Sequence, residues 1–413
     1  MLLYTMDLFE FQKVMMISIT AVVILLVLGD FSLKEKSFEI KTAYIILIFY
    51  SSSSLFSSDY INHTYGIYYN FDIEVILVYS YLFLIIISFY GFSRKIDWTG
   101  TKLNAFKDRM VIGEKLMTLV AVFGVFINTI LNFHHFDLIK TDYILAQRIP
   151  NLIIIHLPIE SILLAALLKG IFNNKILKSI IFILYLYSIA LDFFLGYRMN
   201  LFFLCLFISF YFFKKGYIFT ASLFIALSGD FINSIKSLIQ NRFSGNLDLI
   251  GNFSVNEFKF LTSEQLHIFS NTFIGIKSKE TFNSLDELVY LLPGYGKLFP
   301  LPYPLSADKL ALLKDVDPST GAGVGYSFQL FIYENLLVGS LMIGLVVLLI
   351  QFSNKTIISI MSLELFFSMM RNSTSYWSGI LMKIILVLIF CFIISLLYQR
   401  NKDFTIFKKL EKL

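Results

Sequence analysis

The sequence contains few charged residues. Asp, Glu, Lys and Arg make up 15% of its 413 residues, whereas 57% are apolar; a typical soluble domain carries about 25% charged residues. Many stretches run for roughly 20 residues with few charges, the length that a helix needs to cross a bilayer. These stretches are continuously apolar, a pattern typical of helices rather than of alternating strands. The sequence therefore predicts an all-α polytopic membrane protein.

Cysteine and clustered positive charge are also scarce. Cys205 and Cys391 both lie in apolar stretches, where we expect small buried side chains and neither a disulfide nor a metal site. The five histidines show no metal-ligand spacing, so we expect no metal and no cofactor. No basic cluster with interleaved aromatic residues lies outside the apolar stretches, so nucleic acid is not an expected partner.

Proline is rare and concentrated in one polar segment. Five of the seven prolines lie between residues 234 and 324, together with eight Lys or Arg. The motif Ser-Leu-Asp-Glu at 284–287 is a capping box, and a similar helix start at 262–265 precedes apolar residues at helical spacing. We therefore predict one large loop with short amphipathic helices, which lie on the bilayer surface or cap the bundle. The alternative is that they are plain surface helices that pack on their own loop.

The apolar stretches predict about eleven transmembrane helices in one integrated membrane domain. The predicted spans are 14–30, 42–58, 74–92, 112–132, 152–170, 178–195, 199–213, 217–233, 328–351, 355–370 and 379–398. Residues 1–233 would contain helices one to eight. Residues 234–327 would form the large loop, and residues 328–413 would contain helices nine to eleven and a tail.

Positive charge is unequally divided between the connections. One alternating set, with the C-terminal tail, contains 19 Lys or Arg, whereas the opposite short connections and the N-terminus contain five. Because Lys and Arg accumulate on the cytoplasmic side, we predict a multi-pass protein with an outward N-terminus and a cytoplasmic C-terminus. The large loop would then face outward.

The few arginines on the predicted outer side are candidate anion-binding residues. They are Arg148, Arg198, Arg242 and Arg371. Arginine suits phosphate because its planar guanidinium donates two parallel hydrogen bonds and keeps its charge. Together these residues could bind a pyrophosphate. The alternative is that each one pairs with a lipid headgroup or a nearby acid.

Ionisable residues near or inside the spans are candidate catalytic residues. Asp192 and Glu334 lie near the outer ends of two spans, and His267 in the loop is a further candidate base. Other ionisable residues lie deeper in the spans: Glu160, Glu364 and Lys383. Each deep residue either forms an ion pair between helices or, if acidic, serves as a general base toward a substrate hydroxyl.

The layout and two short motifs resemble the Wzy-type O-antigen polymerases, which polymerise the repeat units of bacterial surface polysaccharide. About a dozen spans with one dominant outward loop late in the chain form the shared layout. Gly196-Tyr197-Arg198 lies between two predicted spans. Gly323, Gly325 and Ser327, followed by Tyr333-Glu334-Asn335 and Gly339, lie where that family re-enters the membrane.

This resemblance implies a metal-independent C-type glycosyltransferase at the periplasmic face of the bacterial inner membrane. Such an enzyme transfers a growing glycan from undecaprenyl pyrophosphate onto a lipid-linked repeat unit, with arginines holding the pyrophosphates. Its expected partners are the undecaprenyl-pyrophosphate-linked oligosaccharide, the lipid bilayer and a chain-length regulator protein. Arg242 is the one arginine of the longest loop, which leaves open a contribution from lysines. The alternatives are an O-antigen ligase and a flippase or transporter of the lipid-linked oligosaccharide.

Overall fold

The computed structural model describes residues 8–33, 37–52, 101–133, 158–194, 199–223, 336–352, 356–371 and 374–400. In these ranges the secondary structure is helical and no strand occurs. The helices are α1 (Leu8–Ser32), α2 (Phe38–Ser52), α3 (Thr101–Phe133), α4 (Ile159–Lys169), α5 (Lys175–Phe194), α6 (Met199–Phe212), α7 (217–223), α8 (Leu336–Phe352), α9 (Ile358–Arg371) and α10 (Thr374–Arg400). The predicted helical class is thus confirmed for the described residues.

Each of the ten helices overlaps a predicted span, with one large difference in bounds. Helix α3 begins at Thr101 rather than near residue 112, because Lys and Arg at its start favour a helix although they are not apolar. Hydropathy marks only the apolar part, which runs from Met110 to Ile127. The predicted third span at 74–92 and the loop at 234–327 lie outside the described residues, so the count of eleven stays a prediction.

Two of the described helical stretches are long and apolar enough to cross a membrane. They are Met110–Ile127 of α3 and Gly379–Arg400 of α10, judged by length and composition. Large apolar side chains are also exposed on the outer faces of several helices, among them Phe123, Ile183 and Phe392. Such exposure is unusual on a protein surface that faces water, which gives support to a membrane environment.

Helix α9 lies at the centre of the described bundle. Every side chain from Thr356 to Met370 is buried, and the helix contacts α2, α4, α8 and α10. A helix that is buried all round has no face for water or lipid. Its polar residues, which include Ser359 and Glu364, must therefore find their partners on neighbouring helices.

Helices α3 and α10 cross closely at a glycine. A Cβ atom on Gly113 would lie 2.7 Å from both Cα and the carbonyl oxygen of Cys391. Side-chain atoms do not approach backbone atoms so closely, and small residues allow helices to approach in this way. Cys391 is completely buried, as the sequence predicted, whereas Cys205 of α6 is half-buried.

Candidate functional site

Polar contacts join several helix ends at one end of the bundle. Lys169 in the last turn of α4 forms an ion pair with Glu39 in the first turn of α2. Oγ of Ser359, in the first turn of α9, donates a 2.8 Å hydrogen bond to the same carboxylate. The backbone N–H of Ile357, directly before α9, donates a 3.0 Å hydrogen bond to Oε1 of Glu114 on α3. We call this end of the bundle the basic end, because the connections between helices on this side contain most of the lysines of the sequence.

Helices α1, α6 and α7 also reach the basic end. Asp30, near the C-terminus of α1, accepts 2.8 Å hydrogen bonds from the backbone N–H groups of Ile218 and Phe219. Its carboxylate thereby caps the N-terminus of α7, where orphan N–H groups and the helix dipole favour negative charge. Phe210, near the C-terminus of α6, packs edge-on against Tyr217 with ring centroids 5.1 Å apart.

The basic end buries charged groups as well as serines and aromatic rings. Glu39 is 0% exposed and Glu114 is 1% exposed, and Lys41 and Lys115 are also buried. The ammonium of Lys41 lies 5.8 Å from the centre of the Phe210 ring, within the range of a cation–π interaction. This network ties α2, α3, α4, α6 and α9 together, and we interpret it as structural.

Two of the residues that sequence analysis assigned to the site lie on helices that end away from the basic end. Asp192 lies in the last turn of α5 and Arg371 is the last residue of α9, and both helices begin at the basic end. Arg198 directly precedes α6, and Glu334 precedes α8 by two residues. The side chains of these four residues, and all of Arg148, Arg242 and His267, lie outside the described residues. Their predicted roles therefore stay predictions.

A second polar group lies inside the bundle, where α4, α5, α9 and α10 meet. Ser161 donates a 2.5 Å hydrogen bond to Oε2 of Glu364, and Ser188 donates one to Oε1 of Glu160. Lys383 on α10 interacts electrostatically with Glu364, as does the second carboxylate, Glu160. The sequence analysis identified the three charged residues as candidates. It did not identify the two serines, because serine is common in apolar helices and its presence does not indicate a functional site.

A tyrosine hydroxyl completes this group. Tyr185 lies one turn before Ser188 on the same face of α5, is 1% exposed and interacts electrostatically with Glu160. In the described part of the chain its hydroxyl has no hydrogen-bond partner. We call Glu160, Ser161, Tyr185, Ser188, Glu364 and Lys383 the mid-bundle cluster.

Metal binding finds no support in the described ranges, where no three His, Cys, Asp or Glu side chains converge as ligands. The arrangement instead offers hydroxyl groups, two carboxylates and one ammonium group at short range. These groups can exchange protons or hold a charge inside the bundle.

Comparison of the chain with protein-family models, with curated proteins and with solved structures gives no significant match. The class that the fold and the polar groups define is therefore a helical protein with membrane-type apolar helices and ionisable side chains inside its bundle.

Proposed function

We propose that the protein is a glycosyltransferase that polymerises undecaprenyl-pyrophosphate-linked O-antigen repeat units at the periplasmic face of the inner membrane. The sequence resemblance to Wzy-type polymerases suggests this activity. The fold that such an enzyme needs, a helical bundle interrupted by a large polar loop, is compatible with the described helices.

The direction of the helices supports this proposal most strongly. The contacts of Glu39 and Glu114 bring the starts of α2 and α9 to the same end of the bundle as the C-terminus of α4. The C-termini of α5 and α9 are then at the other end. Arg371 is the last residue of α9, and in the sequence Arg198 lies between α5 and α6. An enzyme that binds pyrophosphate at one membrane face needs its cationic residues on that face.

The chemistry of the proposed reaction requires few groups. A polyprenyl pyrophosphate is a good leaving group, so the enzyme has to stabilise its developing negative charge and to orient the acceptor hydroxyl. We assign the first task to Arg148, Arg198, Arg242 and Arg371. One acid, Asp192 or Glu334, or else His267, would accept the proton of the acceptor hydroxyl.

Deletion of the gene tests the proposed class of activity. Loss of a polymerase leaves lipid A core that carries a single repeat unit, which is visible on a gel of surface polysaccharide. Complementation with the intact gene should restore the ladder of long chains. If the mutant core carries no repeat unit at all, the polymerase assignment is wrong, and a ligase or a flippase becomes the better assignment.

Replacement of the arginines tests the assigned site. We expect Arg198→Ala and Arg242→Ala each to shorten the polysaccharide chains, because loss of a phosphate contact removes stabilisation of the leaving group. Arg400→Ala, at the predicted cytoplasmic end of α10, is the matched control and should keep normal chain length. Normal chain length in both site variants, at normal protein levels, would contradict the pyrophosphate assignment.

One observation favours a second candidate function, a flippase for the same lipid-linked oligosaccharide. A flippase needs charged groups deep within its bundle, and the mid-bundle cluster contains three of them. The deletion gel separates the two functions, because loss of a flippase leaves the core without any repeat unit.

A further inference from the structure

The mid-bundle cluster contains more acid than base. Glu160 comes from the first turn of α4 and Glu364 from the middle of α9, and Lys383 is the cationic group that interacts with Glu364. Glu364 is buried, whereas Glu160 and Lys383 are each half-buried. Full ionisation of all three would leave two negative charges opposite one positive charge in the cluster. An unpaired buried charge is costly, and a carboxylate in that position commonly takes up a proton.

No other charged side chain that the structure describes removes this imbalance. The other described charged side chains on α4, on α9 and on the helices that contact them lie toward the basic end. They are Glu39, Lys41, Glu114, Lys115, Lys169, Lys175, Lys178 and Arg400. The side chains of Asp192 on α5 and Arg371 on α9 lie outside the described residues. The remaining titratable neighbours, Tyr185 and Cys205, interact electrostatically with each other, and neither supplies positive charge.

The hydrogen bonds of the cluster suit a proton better than a metal ion. Each carboxylate already accepts a short hydrogen bond from a serine, Ser161 or Ser188. A metal ion would need several free oxygen ligands, whereas a proton needs one carboxylate oxygen and a nearby acceptor. The buried hydroxyl of Tyr185, which lacks a partner in the described part of the chain, offers an additional donor and acceptor beside Glu160.

We propose that the mid-bundle cluster is a proton-binding site, in which Glu160 and Glu364 together hold one exchangeable proton opposite Lys383. The proton comes from the surrounding water and converts one carboxylate to a carboxyl group, so no other reactant is involved. This site goes beyond the proposed glycosyl transfer and does not depend on it.

A hydrophobic carbodiimide tests the proposal, because it reacts with protonated carboxyl groups in apolar surroundings to form a stable acylurea. The full-length protein in lipid nanodiscs is treated with dicyclohexylcarbodiimide at a series of pH values, and labelled peptides are measured by mass spectrometry. We expect labelling of Glu160 or Glu364 that declines as the pH rises. Glu39, which is buried like Glu364 but paired with Lys169, is the internal control and should remain unlabelled.

Three variants sharpen this experiment. Glu160→Gln leaves one carboxylate opposite one ammonium, so labelling of Glu364 should fall about tenfold at the same pH, equivalent to a change of one pH unit. Lys383→Met removes the compensating charge, so labelling should persist to a pH that is higher by about 1 to 3 units. Ser188→Ala keeps the charge balance and should keep the labelling, and size-exclusion chromatography checks that each variant is folded.

Several outcomes would overturn the proposal. One is an absence of labelling at Glu160 and Glu364 at every pH. Another is parallel labelling of Glu39, which would show that burial alone governs the reaction. The third is protection by added NaCl at constant pH, which would indicate a bound metal cation instead of a proton.

Discussion

Glu39 joins three helices at the basic end. It has no exposed surface, forms an ion pair with Lys169 and accepts a hydrogen bond from Ser359. One of its oxygens, Oε2, has no partner among the described residues. Removal of one member of a buried pair leaves the other charge uncompensated, which usually costs more than the pair itself contributes.

We therefore expect Glu39→Gln to destabilise the protein by about 3 kcal/mol. The double variant Glu39→Gln with Lys169→Met should recover part of this loss, because it removes both charges. The measurement is thermal unfolding of the purified protein in detergent. Lys175→Gln, at an exposed position, is the control and should change stability by less than about 0.5 kcal/mol; an equally small effect of Glu39→Gln would contradict the structural role.

For single residues, the sequence predicted the burial of some charged side chains and did not predict the burial of others. Glu364 lies within an apolar stretch, so its burial among helices could be predicted, whereas Lys383 is only half-buried. Glu39 lies among lysines just before a predicted span, and Glu114 lies beside Lys115 at the start of the predicted span 112–132. Their burial depends on contacts with α4 and α9, which are distant in sequence, and no local pattern reports such contacts.

Among the helices, the crossing of α3 and α10 is the most sharply constrained. Gly113 leaves no room for a Cβ atom against the backbone of Cys391, whereas Gly379 on α10 has no atom within 4 Å of such a position. Both glycines lie within helices. They form a matched pair in which only the packing environment differs.

We expect Gly113→Ala to destabilise the protein by about 1 to 3 kcal/mol, because α3 and α10 have to move apart. Gly379→Ala should instead stabilise it by up to about 1 kcal/mol, since alanine favours a helix over glycine. The temperature of half-unfolding in detergent measures both effects. Equal shifts for the two variants would show that the close crossing does not contribute to stability.

Helix positions were the most predictable feature at the element scale, because each described helix overlaps a predicted apolar span. The helix ends were less predictable. Helix α3 begins at Thr101 and its first turns contain polar residues that lie outside the predicted span. Helix α4 begins at Ile159, directly after Pro158, although the predicted span begins at residue 152. Hydropathy reports where a helix is apolar, whereas its ends depend on caps, prolines and tertiary contacts.

For the molecule as a whole, the central prediction concerns which end faces the cytoplasm. A version without native cysteines carries either Lys215→Cys in the connection before α7 or Ser373→Cys between α9 and α10. In intact cells with a permeabilised outer membrane, a membrane-impermeant maleimide should label position 373 and not position 215. Disruption of the inner membrane should expose position 215 as well, and the reverse pattern would invert the proposed topology.

The alternation of lysine-rich and lysine-poor connections predicted the relative direction of the helices. The contacts at the basic end agree with that alternation, as the helix ends joined through Glu39 and Glu114 all come from the lysine-rich side. The arrangement of the candidate site residues was less accessible to prediction. In the sequence they lie near the ends of apolar stretches or in the connections, where neither periodicity nor hydropathy carries information about which side chains meet.

The central position of α9 has a consequence for biosynthesis. Ser359 is 320 residues beyond Glu39, and Ile357 is 243 residues beyond Glu114. A ribosome that adds about 5 to 20 residues per second reaches α9 roughly 15 to 65 seconds after it has made Glu39. During that interval α2 and α3 have been synthesised, but α9, the helix that fills the centre of the bundle, has not. The bundle formed by the early helices is therefore completed only when the last quarter of the chain has been made.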